Sequence, residues 1–430
     1  VDRHACYGWG IVDADGGGFG RGLDLNRDQK KLTMKWATSL AVGASLSDAV
    51  ARAADEIRAA LGEDPVDLVL VFVSHHHREA YAQVPDLVQE HLPARCLAGC
   101  SGGGVLAGGV EEEGRPALAL AAARLPGVDI GLRHLTCQAL PDEDASPDVW
   151  RAWVGTPDPS AHFVVMADPF STTVEPLLTG LDYAYPASTK VGGMASGGRK
   201  SGENALFFHG QMRDHGLVLL TLGGNVVVDA VVAQGCRPVG QPLTVTRHEQ
   251  NVLMEVNHQP PLRYLGELVE SMSDYDRQLM RTALFLGLQV DEPEQENTGH
   301  DFLIRNLVGI DYQRGVLAVS APLTVGQRVQ FHLRDKATSS EDLHHQLNAR
   351  RAQPAPAGAL LFSCLGRGRR LYGEPHYDSR VFHQVLGDLP LAGFFGNGEI
   401  GPVGSVTHLH GYTSAFALIR PATPAPGTVT

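Results

Sequence analysis

LPLAGFFGNGEIGPVG, from Leu389 to Gly404, sets a short apolar run directly against a cluster of glycines. Glycine admits backbone angles that side chains forbid and lets another backbone come close, so a ligand loop and a tight structural turn both fit this composition. Two other segments have the same make-up: CLAGCSGGGVLAGG (Cys96 to Gly109) and VGGMASGGRKSG (Val191 to Gly202). Each of the three follows a fully apolar strand, a polar turn and a helical stretch. DLVLVFVS leads to VPDLVQEHLP, HFVVMADPFS to VEPLLTGLDYAYP, and ALLFSCLGRG to VFHQVLGDLP. After the glycines each copy returns as strands, ending in PALALAAARL, GLVLLTLGG or TSAFALI. One grammar used three times makes the shared glycines structural and leaves function to the polar residues that differ. These are Cys100 and Ser101 in the first copy, Ser196 in the second, and Asn397 and Glu399 in the third.

The pattern predicts an α/β protein of two consecutive domains. Repeated β-α-β-β units pack mixed sheets on one another under a cover of helices. Before the first copy, KWATSLAVG alternates as a strand, and ASLSDAVARAADEIRAALG places Val50, Ala53, Ala54, Ile57 and Leu61 at helical spacing, with Ser45 or Ser47 as cap and Gly62 as stop. Between the second and third copies the chain is β-rich: VVVDAVVAQGCRPVGQPLTVTRHEQNVLMEV and FLIRNLVGIDYQRGVLAVSAPLTVGQRVQFHLRD read as strands joined by turns, with a helix at PPLRYLGELVESM. Residues 338–351 read as an amphipathic helix, QVDEPEQENTGHD as an acidic surface loop and QPAPAG as a stiff linker. The expected boundaries are a loose extension at 1–33, an N-terminal domain at 34–233, a C-terminal domain at 234–420 and a frayed tail at 421–430.

Composition excludes several classes. With 430 residues, 43% hydrophobic and 19% charged, the chain can bury full cores. A net charge of −13 opposes a nucleic-acid surface, which needs clustered Lys and Arg. The six cysteines include no C-x-x-C pair and no dense spacing, and no long apolar run suggests a membrane span, so a cytoplasmic protein is expected. No cofactor motif is found: GNGEIG and GRGRR lack phosphate-loop spacing. His75, His76 and His77 are adjacent, so their rings cannot readily share one tetrahedral metal site, and none is assigned.

The ordered set LVLVFVSHHH, CLAGCSGGG, FVVMADPFS, VGGMASGG, QGCRPVGQPLTVT, FLIRNLVGID, LTVGQRVQFHLRD and LLFSCLGRG with GFFGNGEIGPVG resembles the FIST family. The resemblance covers about Lys35 to Arg420 and implies FIST N-terminal and C-terminal domains, as in bacterial sensory proteins and an F-box protein. It implies small-ligand sensing, with amino acids as proposed ligands and no established catalysis. No kinase, cyclase or F-box segment accompanies the pair, so a stand-alone sensor with a separate signalling partner is expected; an interaction scaffold is the alternative, and a hydrolase the third reading.

Individual residues carry these readings. GCSGG fits a nucleophile elbow around Ser101, but the second copy reads Ala195 and the third Phe395 at that place, so no catalytic residue is assigned. An amino-acid ligand needs groups for both of its charges. Arg305, Asn306 and Arg367 are candidates for its carboxylate, Glu399 and Asp168 for its ammonium, with Asn397 beside them and Gly393 and Gly398 bringing backbone close. Structural alternatives stand beside them: a solvated Arg305, Asp168 holding the DPFS turn, Asn397 in a left-handed backbone. Cys364 lines the ligand, with Arg367, Arg369 and Arg370 favouring its thiolate, or is a small buried hydrophobe.

Overall fold

The computed structural model describes residues 33–62, 65–136, 140–142, 144–290 and 302–422. The expected extension, acidic loop and tail thus lie almost wholly outside the described residues. The apolar runs of the three copies form strands Val66–Ser74, His162–Ala167 and Gly358–Cys364, buried along nearly their whole length. Such continuous burial is what strands covered on both faces require. A helix follows each one (Val84–His91, Glu175–Ala184, Tyr377–Leu386), and a second strand returns parallel to the first (Ala94–Gly102, Lys190–Met194, Leu391–Gly396). A closing strand then pairs antiparallel on the other side, at Ala117–Arg124, Leu217–Gly224 and Ser414–Arg420. Each unit also opens with a strand and a helix. In the first these are Lys35–Val42 and Leu46–Leu61, the latter capped by Ser45, whose Oγ accepts the Asp48 N–H at 3.3 Å, and ended at Gly62 with φ of 79°.

The hairpin after each glycine cluster leaves its own unit. Gly104–Glu112 pairs with Leu391–Gly396 of the third unit, Leu206–Arg213 with Ala94–Gly102 of the first, and Glu399–His410 with Lys190–Met194 of the second. Each unit therefore completes another's sheet in a closed cycle, giving three six-stranded sheets. Just before each crossing the strand requires glycine, where it lies against its parallel partner in the same unit. A Cβ at Gly99, Gly192 or Gly393 would stand 1.8, 1.9 or 1.8 Å from the carbonyl oxygen of Val71, Val165 or Leu361. These three glycines fix the correspondence between copies, and the parallel registers then place Met194 and Phe395 where Ser101 stands. The expected Ala195 is one residue off, because the sequence has no mark of register until Gly192 is matched to Gly99.

The inner faces of all three sheets share one core, which includes Leu70, Phe72, Met166, Phe362 and Phe394. Helices cover the outer faces, with Ala53 and Ile57 over the first sheet, Leu177 and Leu181 over the second, and Leu343 and Phe382 over the third. The β-rich segment inserted in the third unit closes into a six-stranded barrel of Arg237–Glu249, Val252–Val256, Leu284–Gln289, Phe302–Asp311, Val316–Val319 and Arg328–Leu333. Its closure was not expected from the turns. Two smaller differences have local causes: His75–Gln83 winds into a 3₁₀ helix where a loop was expected, and the helix predicted from Thr338 begins at Lys336 because Asp335 caps it by accepting the Thr338 N–H at 2.8 Å. Among the described residues, no helix is long and apolar enough to cross a membrane.

Candidate functional site

The three glycine clusters meet where the hairpins cross, and a hydrogen-bond network holds them there. Ser101 is fully buried inside a strand; its Oγ accepts the Ala205 N–H at 3.0 Å and donates to the Ser196 carbonyl at 3.2 Å. Ser196 Oγ accepts the Gly103 N–H at 2.7 Å and donates to the Phe395 carbonyl. A nucleophile elbow needs a hydroxyl projecting from a strand-to-helix turn. Ser101 has no such geometry, so the hydrolase reading of GCSGG is corrected to a structural one.

The predicted ligand residues separate. Asn397 is exposed at the crossing, its N–H donating to the Met194 carbonyl at 3.0 Å; Gly398 accepts the Met194 N–H at 2.8 Å, and Gly393 lies against the Leu361 backbone. Asp168 is buried and holds the turn, accepting from Asn204 Nδ2 at 2.9 Å and Ser171 Oγ at 2.6 Å. Asn306 is exposed on a barrel strand. Its neighbour Arg305 reaches the exchanged hairpin, where Nη1 donates to the Leu409 carbonyl at 2.8 Å. Arg367 is fully buried and occupied: Nε and Nη2 donate to the two oxygens of Asp378 at 2.9 and 3.0 Å, and Nη2 also to the Tyr372 hydroxyl at 2.6 Å. Burial alone would raise the Asp378 carboxyl, but Arg367 and the Ser363 and Ser414 hydroxyls hold it below its ordinary range. Arg367 therefore has no free face for a ligand carboxylate.

Glu399 and Cys364 do come together, at the seam between the exchanged hairpin Glu399–His410, the third unit and the barrel. Glu399 is fully buried; Oε2 accepts the Thr413 N–H at 3.1 Å, while Oε1 has no partner. Burial pushes its carboxyl well above the ordinary range, and the Thr413 bond, the Arg367 charge, an interaction with the Cys364 thiol and the Arg334 charge only partly oppose this. Cys364 is half-buried at the mouth. Burial first, and the Glu399 charge second, push its thiol up to about 12. The thiolate expected beside three arginines is thus corrected: Arg367 is neutralised by Asp378, and Arg369 and Arg370 are exposed.

Three residues that the sequence reading did not single out complete the seam. Arg334, 6% exposed at the end of a barrel strand, donates Nη2 to the Gly366 carbonyl at 3.1 Å and lies 4.5 Å from the Tyr412 ring centre, while its Nε has no partner. Tyr412 has φ of 63°, a left-handed backbone that costs a bulky residue on the order of 1–3 kcal/mol and gathers at ligand clamps and active sites. Its ring packs over Gly366, where a Cβ would meet Tyr412 Cδ1 at 2.8 Å. His410 stands directly opposite Glu399 across the hairpin; burial pushes it down to about 3, and its Nε2 lies 3.0 Å from the Gly401 carbonyl. A carbonyl only accepts, so Nε2 carries the proton and the bare Nδ1, which has no partner, is an acceptor. His408 Nε2 is unpartnered as well. Buried polar atoms are mostly paired, so these four set the seam apart, as do His75 Nδ1, His77 Nε2, Arg78 Nε and Tyr81 Oη around the first unit's 3₁₀ helix. Two surface depressions, about 470 Å³ beside Ser45 and Arg52 and about 340 Å³ beside Arg350 and Gln384, lie elsewhere and include none of these unpartnered groups. Arg334 and Tyr412 do stand in the sequence, in FHLRD and HGYT, but as an ordinary cation and aromatic they carry no local signal.

Comparison with known proteins gives two family matches, the FIST N domain over residues 67–259 and the FIST C domain over residues 261–402. An uncharacterized protein of Mycobacterium tuberculosis is 35% identical over 393 residues, which is 88% of this chain and 99% of that protein. Another, from Mycobacterium bovis, is 33% identical over 380 residues, 86% of this chain and 95% of that one. Human F-box only protein 22 is 27% identical over 184 residues, 36% of this chain and 41% of its own length. A crystal structure of cyanuric acid hydrolase from A. caulinodans covers 91% of this chain and all of its own at 11% identity, with a TM-score of 0.34, too low to argue from.

Proposed function

We propose, from the premise that the chain belongs to the FIST family, that it binds a small polar metabolite at the seam of Glu399, Cys364, Arg334 and Tyr412 and passes its occupancy to a separate partner. FIST domains are in general small-ligand sensory domains, which sets the class of function; the seam supplies a location. The observation that carries the reading is the pair of unpartnered buried atoms, Arg334 Nε and Glu399 Oε1, both packed around Tyr412 and Thr413 behind a half-buried mouth. A fixed donor and a fixed carboxyl group, desolvated before the ligand arrives, give orientation and selectivity. Amino acids, the ligands implied by the family resemblance, have polar groups of the right size. A stand-alone role in the cytoplasm goes with this reading, and Asn397 and Asp168 have structural roles in it.

The test is a thermal-shift panel of amino acids and small metabolites, with mass spectrometry of whatever co-purifies. Binding at the seam predicts that Arg334→Gln removes the shift from any hit, while Asn397→Ala, at the exposed crossing, keeps it. A hit that survives Arg334→Gln places the ligand elsewhere. One observation favours a second reading, an interaction scaffold: the barrel strand Phe302–Asp311 and the turn after it leave Val308, Ile310 and Tyr312 exposed, at 60%, 46% and 80%. Partner capture lost on Val308→Lys, with no metabolite hit, would favour that reading.

A further inference from the structure

The charge of the seam narrows the ligand further, on the reading that the seam is a binding site. Three arginines surround it, and only Arg367 has a carboxylate partner, Asp378. Arg305 donates to the Leu409 and Ile304 carbonyls, and Arg334 to the Gly366 carbonyl and the Tyr412 ring face; among the described residues neither has an ion pair. Carbonyls satisfy N–H groups without cancelling charge. The residues facing Glu399 are Cys364, Arg367, Arg334, Thr413 and, across the hairpin, His410. None is a second carboxylate, and His410 is neutral with its proton committed to Gly401. Arg305 and Arg334 therefore leave the seam positive, and burial pushes Glu399 toward its uncharged form.

We propose that the seam receives the carboxylate of its ligand between the Arg334 Nε–H and the side chain of Glu399, the two groups with an unpartnered buried atom, with Tyr412 as the residue that must move to admit it. Each donor offers one hydrogen bond, and a carboxylate has two oxygens to accept them. A phosphate dianion would leave most of its oxygens unpaired here. An ammonium group would find the bare His410 Nδ1 as an acceptor, but beside two guanidiniums with no ion pair among the described residues, which repel it. The role first expected of Glu399, partner to an ammonium, is thereby reversed: it donates to the anion. Tyr412 is half-buried with its ring over the Arg334 guanidinium, and its left-handed backbone marks it as a residue held in place by its surroundings.

The experiment measures apparent affinity by thermal shift on the full chain, comparing sodium acetate, inorganic phosphate and methylammonium chloride with sodium chloride at equal ionic strength, at pH 6 and pH 8.5. Acetate should stabilise the wild type, and no less at pH 6 than at pH 8.5, because any ionisation of Glu399 removes a donor and adds a repelling charge. Arg334→Lys should weaken acetate about tenfold or more, since a compact ammonium cannot reproduce the Nε–H. Glu399→Gln should abolish any pH dependence while acetate still binds, the amide donating in place of the acid, and circular dichroism confirms that both variants are folded. A larger effect from methylammonium or phosphate than from acetate, no acetate effect at all, or loss of acetate binding in Glu399→Gln would each overturn the proposal. A metabolite found by mass spectrometry without any acetate effect sinks this inference alone and leaves the ligand-binding reading standing. Absence of both sinks both.

Discussion

Replacing Glu111 by glutamine should stabilise the protein at pH 8 and matter little at pH 4. Glu111 lies in the hairpin that the first unit lends to the third; it is 2% exposed, and Oε1 accepts the N–H and hydroxyl of Ser379 at 2.8 and 2.9 Å while Oε2 has no partner. Burial and, second, the charge of Asp378 push its carboxyl from 4.5 to about 7, against the Ser379 bonds; Glu113 adds to the push. A group whose folded pKa is raised contributes its full stability below the unfolded value. That contribution is lost as pH climbs from 4.5 through about 7. Each tenfold change in proton affinity is worth about 1.4 kcal/mol, so the whole loss comes to about 3 kcal/mol, of which about 2.5 falls between pH 5 and pH 8. Glutamine accepts the same Ser379 bonds and does not titrate. Urea unfolding of both proteins across this range should show the variant gaining on the wild type by about 2.5 kcal/mol from pH 5 to pH 8. A constant difference across that range would mean that Glu111 keeps its charge in the folded protein, and the reasoning would fail.

Two further outcomes are expected. Cys364, with its thiol near 12, should react with iodoacetamide at pH 7.5 well over tenfold more slowly than free cysteine, despite its half-exposed position; labelling as fast as free cysteine would restore the thiolate. Residues 34–233 expressed alone should aggregate and become soluble when co-expressed with 234–422, because Lys190–Met194 would lack its partner hairpin and Gly104–Glu112 its partner sheet; a soluble, folded 34–233 would refute this.

The parts of the fold legible in the sequence were those that leave a local record. DLVLVFVS, HFVVMADPFS and ALLFSCLGRG are continuous apolar runs because both faces are buried, and each glycine cluster opens, just before a crossing, where a backbone oxygen comes too close for any Cβ. Which sheet a hairpin joins leaves no such record. The alternation in VLAGGVEEE would be the same on its own sheet as on another's, and the barrel is hidden for the same reason, since closure pairs Arg237–Glu249 with a strand that begins at Arg328. In the site, Glu399 and Cys364 stood out as polar groups amid apolar neighbours. Arg367 pairs with Asp378 in the helix Tyr377–Leu386, beyond an intervening short helix, and nothing in the sequence signals that the two share one buried bidentate pair.

Hairpin exchange also explains why a ligand group at Glu399 would be well placed for signalling. Glu399 pairs with Gly193 of the second unit's sheet, yet its carboxyl bonds to Thr413 of the third unit. The far strand of its hairpin is tied to the second unit through Thr407, whose N–H and hydroxyl donate to the two oxygens of Asp182 at 2.7 and 2.8 Å, and Asp182 pairs with the buried Lys190 at 3.0 Å. On the other side Arg305 ties the barrel to Leu409 of the same strand. A change at the seam therefore acts on one short hairpin held by the N-terminal units, the C-terminal unit and the barrel at once. Energetic coupling needs an element whose arrangement two sites both bias. In this chain the hairpin Glu399–His410 is the element that the Gly193, Thr413, Asp182 and Arg305 contacts share, which makes it the place where such coupling is to be sought.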